Sequence, residues 1–347
     1  MLRLFLICMN NTKQIFVVGS GRCGTTMMGR VLNNHKDIFT FEEIHFLGWL
    51  CSKHEINSLI DRQDAIRLLS KLFAIQQDGI FLKKNPKQFD KKSEAVLSDV
   101  AKLKSIEVYE RFLQTITNEK GYSIACEQTP KNIFYIQELL SHFPNAKIIH
   151  MVRDSRDVLL SQKNKWKRGF LGASKIPLKE TIISYINYHP ITSAKFWNSA
   201  VLHGNKMEKD PRVIKIKFEE LLQSPQQKIT ELCNFIEIKF DKKMLEIPNI
   251  GSSTETDKKD EFKIDSTKME KWRGAGLTTA EIYLSQIFTK NRMQANGYEL
   301  KSFVIPPIFS VLYLITFPIK ASFALILNLK RIRSITEFVK QRLIIHC

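Results

Sequence analysis

A chain of 347 residues with 53 Lys and Arg against 35 Asp and Glu, a formal net charge of +18, can bury a sizeable core and attracts polyanionic ligands or anionic surfaces. Its basic residues are scattered and spell no helix-turn-helix, zinc-finger or RNP pattern, so no nucleic-acid partner is expected. The six cysteines, Cys8, Cys23, Cys51, Cys126, Cys233 and Cys347, lie far apart with no C-x-x-C pair and no histidines at ligand spacing, which argues against a metal and for a reducing compartment.

Residues 1–9 hold an apolar run too short for a membrane anchor and without a small-residue cleavage site. Residues 15–18 are continuously apolar and end in glycine, the pattern of a parallel strand covered on both faces. A helix is predicted over 25–34 and a second strand over 37–41, ending in Glu42 and Glu43. Residues 45–120 turn helical and variable, with a Lys-rich stretch broken by Asn85-Pro86, and read as an insertion or cap above the sheet. A third strand is expected at 123–126, a helix at 131–142, and the clearest strand of all at 146–152, with Arg153-Asp154 at its C-terminal edge. Asp154 is placed to cap a helix over 155–164.

Helical text follows at 178–202, a strand at 211–217 and a helix at 225–236 with Pro225 in its first turn. Residues 251–263 read as a polar surface loop, and 266–272 and 278–295 as the last helices of the folded body. Strands alternating with helices give an α/β class with a mostly parallel sheet wrapped on both faces. The expected organisation is one P-loop-like α/β domain over 9–300 and a hydrophobic, basic tail over 301–347. Within that tail, residues 305–329 are apolar for some two dozen positions, interrupted by Pro306, Pro307, Pro318 and Lys320 and followed by Lys330-Arg331-Ile332-Arg333. The segment is long enough to span a bilayer, which takes about 20 apolar residues. The prolines and the lysine equally fit a segment lying at the interface, and packing on the protein's own surface is the third alternative.

The chemistry concentrates between Gly19 and Thr26. Gly19, four residues, then Gly24-Thr25-Thr26 copies the spacing of a P-loop, except that Thr25 stands where a nucleotide-hydrolysing enzyme places lysine. Backbone amides from Gly21 to Thr26 and the start of the following helix focus positive charge on a phosphate-like group, and Arg22 adds a planar, fully charged fork. A second group is Arg153 at its strand end with Ser161 eight residues on, two helical turns away and on the same face. Arg153 could equally pair with Asp154 or Asp157.

These two segments resemble the PAPS-dependent sulfotransferases, closest in motif layout to the tyrosylprotein and carbohydrate type. Gly-Ser-Gly-Arg-Cys-Gly-Thr-Thr (19–26) is similar to that family's 5′-phosphosulfate loop, and Ile-Ile-His-Met-Val-Arg-Asp-Ser-Arg-Asp-Val-Leu-Leu-Ser (148–161) to its 3′-phosphate motif. The resemblance runs from about residue 14 to 297 and is weak across 45–120. It implies a P-loop α/β fold, 3′-phosphoadenosine 5′-phosphosulfate (PAPS) as co-substrate, no metal, and in-line transfer of a sulfuryl group to a hydroxyl or amine. It also explains the missing lysine, because the loop grips a phosphosulfate and not a triphosphate.

Carried over, Arg22, Cys23, Gly24, Thr25 and Thr26 would contact the phosphosulfate, and Arg153 and Ser161 the 3′-phosphate; Cys23 stands where serine is commoner. Lys271-Trp272-Arg273-Gly274 resembles the family's Lys-Trp segment over the nucleotide, making Lys271 and Arg273 candidate donor contacts. Lys131 is a candidate for the sulfuryl oxygens. The general base is expected among Glu43, Glu42 and His45, in that order of preference. The acceptor implied is a glycan, a lipid-linked sugar or another lipid, with the protein in the cytoplasm at the inner face of a membrane. Two other readings are a P-loop kinase using Asp154 and Asp157 for a metal, and a non-catalytic scaffold at a membrane surface.

Overall fold

The computed structural model describes residues 13–81, 85–170, 176–250, 253 and 258–342. Residues 1–9, both terminal cysteines and much of the polar stretch 251–263 lie outside the described residues. Strands β1 (Gln14–Gly19), β2 (Ile38–Thr40), β5 (Ile124–Glu127), β6 (Lys147–Val152) and β7 (Val213–Lys217) form one parallel sheet in the order β2-β5-β1-β6-β7. The short antiparallel pair β3 (Leu59–Asp61) and β4 (Lys102–Lys104) lies within the 45–120 stretch, and β8 (Pro248–Asn249) pairs with β9 (Lys258–Phe262).

The helices are α1 (Thr25–Asn33), α2 (Arg62–Asp78), α3 (Asp90–Val96), α4 (Ser105–Glu119), α5 (Ile136–His142), α6 (Ser155–Lys163), α7 (Leu178–Asn187), α8 (Pro190–Lys206), α9 (Phe218–Gln223), α10 (Pro225–Ile236), α11 (Thr279–Ala295), α12 (Phe309–Asn328) and α13 (Ile335–Arg342). Alternation along β1 sends Phe16 and Val18 into one core and Ile15 and Val17 into the other, as strand geometry requires of a sheet covered on both faces. Phe46, Phe73, Tyr109 and Phe112 of the 45–120 stretch join Phe16 and Val18 in a single buried cluster. That stretch therefore closes one face of the sheet, in addition to contributing to the cavity wall above it.

Four elements differ from the sequence pattern: residues 258–262 of the stretch expected to be a surface loop form β9, held by backbone pairing to β8, and three others differ for local reasons. The helical text at 178–202 breaks at His189 because Pro190 starts a new helix and forces extended backbone before it. Residues 130–135 form a 3₁₀ turn before α5, with Pro130 in its first turn. The expected helix at 266–272 is two short 3₁₀ turns, Ser266–Lys268 and Lys271–Arg273, since Trp272 is drawn down onto α6. There its backbone N–H donates to Asp157 Oδ1 at 2.9 Å and its ring lies 3.7 Å from the Arg156 guanidinium carbon.

The C-terminal helix α12 is placed unusually. It packs on α7, α8 and α11, and its inward stripe includes Ser310, Tyr313, Phe317, Ala321, Leu325 and Asn328. Val311, Leu312, Leu314, Ile315, Ile319, Phe323 and Ile326 on its other side are exposed. A solvent-facing helix ordinarily carries its polar residues outward, and here the outward stripe is almost wholly apolar.

Candidate active site

Loop 20–24 sits at the C-terminal ends of β1 and β6, beside the first turn of α1. Gly24 at φ 99° and Arg22 at φ 72° hold the tight left-handed turns that aim backbone amides at one point. A Cβ at Gly24 would stand 2.4 Å from the Phe218 ring, so the close approach of α9 also demands glycine there. Arg22 Nε donates to Ser161 Oγ at 2.9 Å, which joins the loop to the second predicted anion group. Burial, with the positive charges of Arg168 and Arg153 nearby, pulls the Arg22 guanidinium down to about 10.

Arg153 is held by its whole surrounding. Its carbonyl accepts from Trp197 Nε1 at 2.8 Å, its Nη2 donates to Lys268 O at 2.9 Å, and its guanidinium lies 4.3 Å above the Phe218 ring. Of the two sequence alternatives for its partner, Asp157 is the one at ion-pair distance, 3.6 Å, whereas Asp154 pairs with Arg156 at 2.6 Å. Both aspartates are thus engaged by neighbours instead of facing a shared metal position. The Nε of Arg153 is buried with no hydrogen-bond partner among the described residues, a donor awaiting an acceptor.

Glu43 and His45 form the third group. His45 is buried, stacks on Trp49 at 4.6 Å, and its Nε2 lies 3.0 Å from Glu43 Oε2. Burial pushes the Glu43 carboxyl up, but the His45 hydrogen bond and the charges of His45, Lys165 and Arg22 outweigh it and leave the group below the usual carboxylate range. Burial pulls the imidazole down further than Glu43 raises it, and Lys131 and Lys165 add to the fall. At neutral pH the pair is therefore an ionised carboxylate accepting from a neutral imidazole. Glu42 is exposed, although it too lines the cavity.

One cavity of about 1340 Å³ joins all three groups. Its wall includes Arg22, Gly24, Thr25, Thr26, Glu43, His45, Arg153, Ser161 and Lys271. That volume exceeds the roughly 300–1,000 Å³ of a single small-molecule pocket and leaves room for two substrates. Two predicted contacts are not brought to it as side chains. The Cys23 thiol faces the core, fully buried and pushed by burial up to about 12, which is why cysteine serves where only the backbone amide is needed. Arg273 is half exposed, pairs with Glu270 at 3.0 Å and lies against Trp272, which turns it away from the cavity wall.

A family model described as "Sulfotransferase family" matches residues 14–242. The chain belongs to the sulfotransferase family. A protein of Aquifex aeolicus (strain VF5) described as uncharacterized is 26% identical over 268 residues, covering 75% of this chain and 30% of that protein. A putative protein-tyrosine sulfotransferase of Caenorhabditis elegans is 26% identical over 122 residues, 35% of this chain and 42% of that one. The chain thus spans less than half the length of these two relatives. Among solved structures, the sulfotransferase domain from the curacin biosynthetic pathway aligns with TM-score 0.48 and 19% identity, covering 83% of this chain and 98% of that domain.

The site thus offers two anion-binding groups, the amide-lined turn with Arg22 and the pair Arg153 and Ser161, whose chemistry fits a ligand with two separated phosphate-like ends. Three contributors were not singled out from the sequence. Lys268 lines the cavity beside Lys271, and its carbonyl orients Arg153. Trp197 fixes the Arg153 backbone from α8. Glu127, at the end of β5, is the third: it accepts from Asn132 Nδ2 at 2.5 Å, Thr129 N–H at 3.2 Å, Ile44 N–H at 3.3 Å and the Thr129 hydroxyl. It pins the Glu43–His45 segment to the sheet, and burial raises its carboxyl to about 7. The Glu-Gln-Thr-Pro text directly after an apolar strand was the only sequence signal for it.

Proposed function

We propose that this sulfotransferase transfers a sulfuryl group from PAPS to a hydroxyl or amine on a glycan or lipid-type acceptor, with Glu43 as general base. The observation that carries the reading is the convergence of Arg22, Arg153 and Ser161 on one cavity that also holds the ionised Glu43. PAPS supplies the sulfuryl group; the acceptor oxygen bonds to sulfur as the bond from sulfur to the phosphate oxygen breaks, and the bridging electron pair leaves with the bisphosphate. The acceptor proton passes to the Glu43 carboxylate. His45 holds that carboxylate in place, since its Nε2 proton is committed to Glu43 and its Nδ1 is buried without a partner among the described residues. Arg22 and the loop amides stabilise charge growing on the leaving phosphate.

The setting of this reaction is the cytoplasmic face of a membrane. The supporting feature is α12, which with the following turn gives a 23-residue segment, Phe309–Arg331, whose most apolar 18-residue stretch has mean hydropathy 1.8 and is 6% buried. Its inner stripe supplies cavity wall through Phe317, Pro318, Ala321 and Leu325, so the helix reads as lying along the bilayer surface against the catalytic domain. The test is release of adenosine 3′,5′-bisphosphate (PAP) from PAPS by the purified protein in the presence of membrane glycolipid extract. Release that depends on extract and vanishes in Arg22→Ala, with an unchanged circular dichroism spectrum, supports the reading. Equal release in Arg22→Ala defeats it.

A further inference from the structure

The cavity holds more positive charge than the donor's two ends account for, and the surplus has its own location. Lys165 and Arg168 lie in the field of Arg22, near the reacting end of the donor. A second set stands around Trp49, which stacks on the face of His45. Lys131 Nζ is 5.7 Å from the centre of the Trp49 ring, and the Arg331 guanidinium is 5.7 Å from the same ring. Arg342 of α13 lies 3.9 Å from Phe338 and 5.0 Å from Phe196, and its Nη1 is buried with no hydrogen-bond partner among the described residues. Lys131, Arg331 and Arg342 all line the cavity.

These cations are poorly neutralised. Arg331 has an ion pair to Glu180. Lys131 and Arg342 have no carboxylate within ion-pair distance among the described residues. Lys131 feels the Glu43 carboxylate without pairing with it, and Glu337, also on the wall, already accepts from the Tyr135 hydroxyl at 2.6 Å and the Lys53 N–H at 3.0 Å. Burial and the charges of Arg342, Lys165 and Arg331 push Lys131 well below its usual range, and burial alone brings Arg342 down to about 10. Desolvated cations without counter-charges are costly, and a ligand anion offsets that cost. Facing them across the same cavity is the apolar wall of α12, Phe317, Pro318, Ala321 and Leu325.

We propose that the acceptor is an anionic amphiphile, a lipid with a negatively charged, hydroxyl-bearing headgroup, and that Lys131 and Arg342 bind its charge beside Trp49 while its chain follows the inner wall of α12. The proposal rests on the membrane-surface sulfotransferase reading above. A neutral glycoside would leave the cations unpaired, and a soluble phosphate would leave the α12 wall wet.

The test uses the full chain and isothermal titration, with and without saturating PAP, of three probes: dihexanoylphosphatidylglycerol, octyl glucoside and glycerol 3-phosphate. The lipid is expected to bind at least tenfold more tightly than either other probe, with an affinity that falls as salt rises. The double variant Lys131→Ala/Arg342→Ala is expected to lose at least tenfold of lipid affinity and none of its PAP affinity, while Lys131→Arg keeps both. Octyl glucoside binding as tightly as the lipid overturns the proposal, as does glycerol 3-phosphate doing so, salt-independent lipid binding, or no binding of the lipid. Weakened PAP binding in the double variant also overturns it, because the cations would then belong to the donor. Failure of the wild-type protein to bind PAP is a separate result that removes the sulfotransferase reading itself.

Discussion

The two ends of the cavity are built in different ways. The donor end comes from two short, contiguous segments, 19–26 and 148–161, each a strand end running into a helix, so its geometry follows from local backbone rules. The acceptor end is assembled from residues far apart in the chain: Trp49, Lys131, and Phe317 to Arg342 on the last two helices. A donor that is the same for every reaction of this kind is served by a rigid local cradle, whereas an acceptor-specific surface is made from segments that vary independently.

The largest effect expected from breaking this division is at the loop. Arg22→Ala should lower PAP formation by roughly 10²–10³-fold, the usual cost of removing a charge-stabilising donor, measured as PAP release at saturating PAPS. Glu43→Gln should lower turnover by about 10²–10⁴-fold with PAP affinity unchanged, and His45→Ala by less, since the imidazole positions the carboxylate without taking the proton. If His45→Ala equals Glu43→Gln in turnover while PAP affinity holds, the assignment of the base is wrong.

Stability sharpens the comparison at the hinge between the two ends. Glu127 has its folded-state value raised from 4.5 to about 7. Its protonated form is favoured by folding, so the associated stability is present below the unfolded value and is lost as pH rises from about 4.5 through about 7. The unfolding free energy from urea titration should fall over that window by an amount on the order of 3 kcal/mol, and Glu127→Gln should flatten the slope. Equal slopes in both proteins would remove this role. The smallest catalytic effect should come from the outer stripe of α12: Ile315→Asp/Phe323→Asp should abolish sedimentation with anionic vesicles and leave PAP affinity unchanged, because neither side chain lines the cavity. Vesicle binding that survives this change would free α12 from any membrane role.

The sheet, its parallel sense and the helix following each strand end were legible in the sequence because apolar runs ending in glycine or Arg-Asp are local signals. So were Arg22, Arg153 and Ser161, whose spacing is read along one loop and one helix. The Cys23 thiol turning inward and Arg273 turning outward were not, since both depend on neighbours: Cys23 on the core beneath Gly19, Arg273 on where Trp272 is anchored. Glu127 and Trp197 escaped notice because a lone buried acid and a helix tryptophan carry no spacing signature. What the linear text determined on its own was an anion-binding α/β frame and an apolar tail, as these rest on short-range periodicity and turn chemistry. That the tail folds back to wall the cavity, and that its cations meet Lys131 around Trp49, only the tertiary structure decided, because such contacts join residues nearly 300 positions apart through packing that no local pattern encodes.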